Sequence, residues 1–146
     1  MMKYEYIAGP GVIANVAYNL EMNTEDFQTN TGVQYFIRVW INALGGNIPY
    51  GDTVPGKGLI VSNVAYDLYI GNHNGIRYIT YVATQPVTHF DDDLMVFINE
   101  LKNNKIISDN DYLVKLDAGT RIIKGSSATF KVKKFQAAIK IESPAE

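Results

Sequence analysis

Residues 33–44 read Val33-Gln34-Tyr35-Phe36-Ile37-Arg38-Val39-Trp40-Ile41-Asn42-Ala43-Leu44. Successive side chains of a strand point to opposite faces, so a period of two sorts this run into two rows. Tyr35, Ile37, Val39 and Ile41 make one row, apolar throughout, which needs a core. Phe36, Arg38 and Trp40 make the other, which is amphipathic and has to face something partly wet. No other stretch of the chain reads as clearly as a strand.

On either side the pattern stays β. Residues 12–22 read as a strand with Ile13, Val16, Tyr18 and Leu20 as its apolar positions, followed by a polar, turn-like stretch over 23–32. Gly9-Pro10-Gly11 separates this strand from an N-terminal arm, residues 1–11, expected to stand apart from a single domain over 12–142, with a short tail at 143–146. After a Gly- and Pro-marked loop over 45–58, residues 59–70 and 76–83 read as partner strands around the turn Asn72-His73-Asn74-Gly75. The period then changes. Leu94, Phe97, Ile98 and Leu101 fall at i, i+3, i+4 and i+7, which predicts one helix over about 92–103, with Asp91, Asp92 and Asp93 at its positive end. Strands over 112–120 and 128–141 close the chain. Many strands, one helix and no βαβ rhythm predict an all-β fold, an antiparallel sandwich or jelly roll.

Composition narrows the function. Thirteen Lys and Arg against fifteen Asp and Glu leave a formal charge of −2, which gives no concentrated basic field for nucleic acid. Lys131, Lys133 and Lys134 read as one solvated strand face. The absence of Cys excludes disulfides and thiolate chemistry. His73 and His89 are the only histidines and lie far apart, and helix capping and an Asx turn account for Asp91–Asp93 and for Asp109 and Asp111. No metal or other cofactor is therefore expected. No apolar run reaches the roughly 20 residues that span a bilayer, and the start of the chain carries no visible secretion signal.

The residues say more than the patterns. From about Asn15 to Ile141 the chain resembles the C-terminal two-thirds of glycoside hydrolase family 12, the jelly-roll endoglucanases and xyloglucanases. Asn15-Val16-Ala17-Tyr18-Asn19-Leu20 is similar to the family's strand ending in Tyr-Asp-Leu, and Tyr35-Phe36-Ile37-Arg38-Val39-Trp40-Ile41 to its Tyr-Glu-x-Met-x-Trp-Leu. Gly45-Gly46-Asn47-Ile48-Pro49-Tyr50-Gly51 looks like its Pro-x-Gly loop, and Tyr66-Asp67-Leu68-Tyr69-Ile70-Gly71 like its Trp-Asp-Leu-Tyr-x-Gly. Tyr81-Val82-Ala83 precedes the helix as Phe-Val-Ala does. Tyr112-Leu113 and Ala118-Gly119-Thr120-Arg121, with Gly125 beyond, resemble Tyr-Leu and Gly-Thr-Glu with its following Gly. Six such pieces fall in one order, with the single helix in its place.

The departures carry the functional reading. A retaining glycosidase needs two carboxyl groups about 5–5.5 Å apart, one as nucleophile and one as acid/base. The resemblance sets Phe36 at the nucleophile, Arg121 at the acid/base and Asn19 at the assisting Asp, and Arg38 at a cleft Met. None of these side chains runs the family reaction, so a non-catalytic homologue is expected. Arg38, Trp40, Pro49, Tyr50, Tyr66, Lys115 and Asp117 are the candidate cleft or interface residues, with Asp117 read as an ion pair of Lys115 and Arg121. The resemblance also implies that strands present in relatives are missing here. Open sheet edges invite pairing, so homo-oligomerisation or entry into a larger extracellular, cell-surface or virion assembly is expected, by strand addition from the arm. A β-glucan- or xyloglucan-binding module, or a decoy of an active enzyme, is the alternative; an active endoglucanase is the third reading.

Overall fold

The strands are β1 (Met2–Ile7), β2 (Ile13–Asn23), β3 (Tyr35–Leu44), β4 (Asp52–Thr53), β5 (Leu59–Val61), β6 (Val64–His73), β7 (Ile76–Ala83), β8 (His89–Phe90), β9 (Tyr112–Lys124) and β10 (Thr129–Phe135), and one helix, α1 (Met95–Asn103), stands between β8 and β9. They come from a computed structural model that describes residues 1–9, 11–24, 34–125 and 128–139. Seven strands form one sheet in the order β4-β6-β7-β3-β2-β9, with β5 paired to β6, and β10-β1-β8 form a second. Pairing is antiparallel except between β3 and β7, which run parallel from Tyr35↔Arg77 to Trp40↔Val82. The result is the β-sandwich with one helix that the sequence predicts.

The core lies between the sheets, and the alternation of β3 places it. Ile37, Val39 and Ile41 are 0% exposed and Tyr35 is buried with them. Each such side chain stabilises the fold by roughly 1.5–3 kcal/mol on burial. Val16, Tyr18, Leu20 and Met22 extend the apolar layer on β2, and Ile79 and Tyr81 extend it on β7. The helix closes one end by inserting Phe97 and Leu101, with the Phe97 ring 5.0 Å from that of Tyr66 and 5.3 Å from that of Tyr81.

Several expectations are corrected. Residues 1–11 do not begin with a detached arm. β1 pairs with β10 from Met2↔Phe135 to Ile7↔Thr129, and with β8 at Met2↔Phe90 and Lys3↔His89. Its own alternation is the reason: Met2 and Tyr4 are buried in the core while Lys3 and Glu5 face out. Residues 59–70 are not one strand, because Ser62 and Asn63 both take positive φ (48° and 64°) and turn the chain into a β5–β6 hairpin. The helix starts three residues later than expected, at Met95. The Asp93 carboxylate accepts the Met95 amide hydrogen at 2.9 Å, an Asx-type contact that holds the chain outside the helix, while Asp92 accepts from the Ser62 hydroxyl at 2.6 Å. The last strand ends at Phe135, residues 136–139 carry no regular structure, and the expected remainder and the 143–146 tail lie outside the described residues. The lysines of β10 do not alternate regularly, since the register slips opposite Lys3 and Tyr4; Lys133 pairs with Glu5 at 3.3 Å.

Burial sets two expected outcomes. The hydroxyls of Tyr4, Tyr18 and Tyr66 have their pKa pushed up from 10 to about 12, chiefly by loss of solvation. Below pH 10 both folded and unfolded chains hold these protons and stability is full. Between pH 10 and 12 the unfolded chain loses them first, so stability falls, by roughly 2–3 kcal/mol per tyrosine at the top of that window. Phenolate absorbance of the buried tyrosines and loss of circular dichroism are expected to rise together across that interval; independent titration of all tyrosines near pH 10 in a folded protein contradicts this. Among the described residues the buried Tyr81 hydroxyl has no hydrogen-bond partner. Tyr81→Phe is expected to keep or raise the stability, by up to about 1 kcal/mol, seen as an unchanged or higher thermal midpoint, and a clear loss of stability shows the hydroxyl to be engaged.

Candidate functional site

The second row of β3 faces away from the core, and register assembles its neighbours into ranks across the sheet. Phe36 lies opposite Glu21 on β2 and Tyr78 on β7, and Glu21 lies opposite Lys115 on β9. One step along, Arg38 lies opposite Asn19 and Thr80, Asn19 opposite Asp117, and Thr80 opposite Tyr69. The next rank joins Gly119, Ala17, Trp40, Val82 and Asp67. Arg121 lies opposite Asn15, beyond these.

Two features emerge. The first is an aromatic run. Phe36 stacks on Tyr78 with centroids 5.3 Å apart and planes 14° apart, and Tyr78 meets Tyr50 at 5.9 Å. The Arg38 guanidinium lies over both inner rings, 5.1 Å from Phe36 and 4.9 Å from Tyr78, a cation–π arrangement. Tyr50 is held by His73, whose Nδ1 is 3.2 Å from the hydroxyl. Its loop reaches the sheet only because two glycines meet there: a Cβ on Gly71 would stand 2.6 Å from the Gly51 Cα, and one on Gly51 would stand 2.2 Å from the Ile70 carbonyl oxygen. Gly51 also has φ +98°, which other residues rarely adopt.

The second feature is a polar cavity of about 280 Å³ between β2, β3 and β9, lined by Asn15, Asn19, Arg38, Trp40, Asp117 and Arg121 among others. The Asn19 amide donates to Asp117 Oδ1 at 3.0 Å, and Lys115 Nζ lies 3.5 Å from Asp117 Oδ2. Desolvation pulls the Arg38 guanidinium below its usual pKa, and the positive charge of Arg121 acts in the same direction. The Arg38 Nε–H is buried without a partner among the described residues.

The candidate residues therefore divide. Asn19, Arg38, Trp40, Asp117 and Arg121 share the cavity, with Lys115 at its edge through Asp117. Asp117 pairs with Lys115 and not with Arg121. Phe36 and Tyr50 belong to the aromatic run. Arg121 does not face Phe36, because Lys115 occupies that rank and Arg121 stands six residues further along β9. Pro49 is buried in the loop. Tyr66 is not a cleft residue: it shares a strand face with Leu68, pairs with Ala83 and packs on Phe97 in the core. Glu21, Tyr69 and Tyr78 were missed. Counting by two from Leu68 puts Tyr69 on the outer face, but Tyr78 needed the parallel pairing with β3, and Glu21 was obscured by its apolar neighbours. Among the described residues no three potential metal ligands gather; Asp111 accepts instead from the Tyr35 hydroxyl at 2.6 Å.

Known proteins carry the same architecture. Residues 1–140 match the family described as Glycosyl hydrolase family 12. The chain is 32% identical over 142 residues to a xyloglucan-specific endo-beta-1,4-glucanase 1 of Phytophthora sojae, and 32% identical over 141 residues to a protein of Phytophthora nicotianae named Inactive glycoside hydrolase XLP1. Each comparison covers 94% of this chain and 57% of the relative, so the chain spans little more than half their length. Among solved structures, endoglucanase 3 of Trichoderma harzianum superposes with a TM-score of 0.78 at 24% identity over 90% of this chain and 57% of that one. A xyloglucanase of Bacillus licheniformis gives 0.80 at 16% identity over 95% and 60%. The family thus includes at least one protein named as inactive beside the hydrolases, and this chain belongs to glycosyl hydrolase family 12.

Proposed function

We propose that this chain is a non-catalytic member of the family that uses the old substrate face to bind a β-linked polysaccharide. The observation that carries the reading is the run Tyr50–Tyr78–Phe36 capped by Arg38, with a phenyl ring at Phe36 where the resemblance sets the nucleophile. Aromatic faces stack on sugar rings, whereas a phenyl ring attacks no anomeric carbon. The carboxylates on this face do not replace a catalytic pair: Glu21 stands between Phe36 and Lys115, and Asp117 is engaged by Lys115 and Asn19. A relative named as inactive supports the same view. Because other relatives are named xyloglucan-specific, xyloglucan and β-glucan oligosaccharides are the first ligands to try.

Isothermal titration with xyloglucan and mixed-linkage glucan oligosaccharides is expected to give saturable binding, with a change in the fluorescence of Trp40, the single tryptophan. The same incubations are expected to release no new reducing ends. Release of reducing ends that disappears in Glu21→Gln or Asp117→Asn identifies a relocated active site and overturns the proposal.

A second reading, assembly with itself or into a filament, surface layer or virion, is favoured by a separate observation. Among the described residues β9 and β10 are each paired on one side only, and Val132 and Phe135 are 45% and 46% exposed. Such edges are templates for another strand. The docked β1 supplies no free arm for this, so the contact would be edge to edge. Light scattering over a concentration series is expected to show growth in mass under this reading, and a strict monomer at high concentration removes it.

A further inference from the structure

The cavity between β2, β3 and β9 has a charge pattern that a neutral glucan does not explain. Asp117 is already answered by Lys115 at 3.5 Å and by the Asn19 amide at 3.0 Å. Among the described residues neither Arg38 nor Arg121 makes an ion pair with a carboxylate, although the Asp117 charge acts on Arg38 across the cavity that both arginines line. The two guanidiniums repel, and Arg38 is also partly desolvated. Phe36 and Tyr78, stacked on each other 5.3 Å apart, both lie to one side of its guanidinium at 5.1 and 4.9 Å, and among the described residues its buried Nε–H has no acceptor. A guanidinium edge presents two parallel donors that match a planar carboxylate.

Size and lining narrow the ligand further. At about 280 Å³ the cavity is just below the roughly 300–1,000 Å³ typical of drug-sized ligands, which suits one ring-sized group. Trp40 supplies an apolar wall, and Asn15 and Asn19 supply amides for hydroxyl groups. The cavity and the aromatic run meet at Arg38, so a chain stacked on the run can place one residue inside.

We propose that this cavity binds the carboxylate of a uronic-acid residue within a β-linked polysaccharide, with Arg38 and Arg121 as the paired cationic contacts. The proposal rests on the saccharide-binding reading and names its ligand class. A protein that once aimed carboxylates at a neutral sugar would then aim cations at an acidic one.

The test compares a β-1,4-linked glucuronate tetrasaccharide with cellotetraose, which differs only in carrying hydroxymethyl groups in place of the carboxylates. Calorimetric titration of the intact chain at low salt is expected to favour the acidic sugar by about tenfold, as charge-assisted bidentate contacts allow. That preference is expected to shrink at high salt and to be lost in Arg121→Gln, whose exposed position spares the fold; circular dichroism checks that it does. Arg38→Gln is expected to behave alike. Equal affinity for the two sugars overturns the uronate assignment while leaving saccharide binding in place. Binding of neither sugar overturns both. Inorganic phosphate that displaces the glucuronate at matching affinity shows a general anion site and overturns the assignment to a sugar.

Discussion

The strict alternation of β3 is the constraint on which the rest depends. With β2 on one side and β7 on the other, the strand is walled in by hydrogen bonds, and its two faces have nowhere to exchange roles. A slip of one residue in register would send Ile37, Val39 and Ile41 outward and drive Arg38 into the apolar layer. That is a loss of several buried side chains together with an unpaired buried charge, each costly on its own. The parallel pairing with β7 locks the same choice on the next strand, since Ile79 and Tyr81 follow Ile37 and Val39 inward.

The outer face inherits its geometry from that lock. Because Phe36, Arg38 and Trp40 stand at fixed steps of two, the ranks that cross them bring together residues from five strands. Their chemistry, however, is free to change without touching the core. A scaffold of this kind keeps its sandwich through β3's inner row whatever the outer row carries, here rings and a guanidinium. The packing of Arg38 against the stacked pair Phe36 and Tyr78 is the local result, with the cation 5.1 and 4.9 Å from the two ring centroids.

Much of this was legible in the sequence, and the failures have physical reasons. The inner row of β3, the helix and the Asn74-Gly75 turn follow from period and turn chemistry, which are local. The family resemblance rests on short motifs in one order, and it holds over residues 1–140. Tyr66 looks like a cleft ring by residue type, but the parity it shares with Leu68 sends it into the core. Gly9-Pro10-Gly11 marks a break in the sequence but says nothing about where Met2 and Tyr4 pack, so the docking of β1 is not legible from it. The cavity was half visible: Asn19, Arg38 and Asp117 could be nominated singly, but their union depends on the register between β2, β3 and β9. Separation along a strand is equally invisible in sequence, and it is why Arg121 stands apart from Phe36.

The central claim is that one strand divides this molecule into a stabilising face and a binding face. Chemical-shift mapping of the backbone amides, titrated with an oligosaccharide that binds, tests it most directly. The account predicts perturbations concentrated at Phe36, Arg38, Trp40, Tyr78, Asp117 and Arg121, with the far sheet of β10, β1 and β8 undisturbed. Shifts confined to β10 and the free edge of β9, with the β3 face silent, would contradict it.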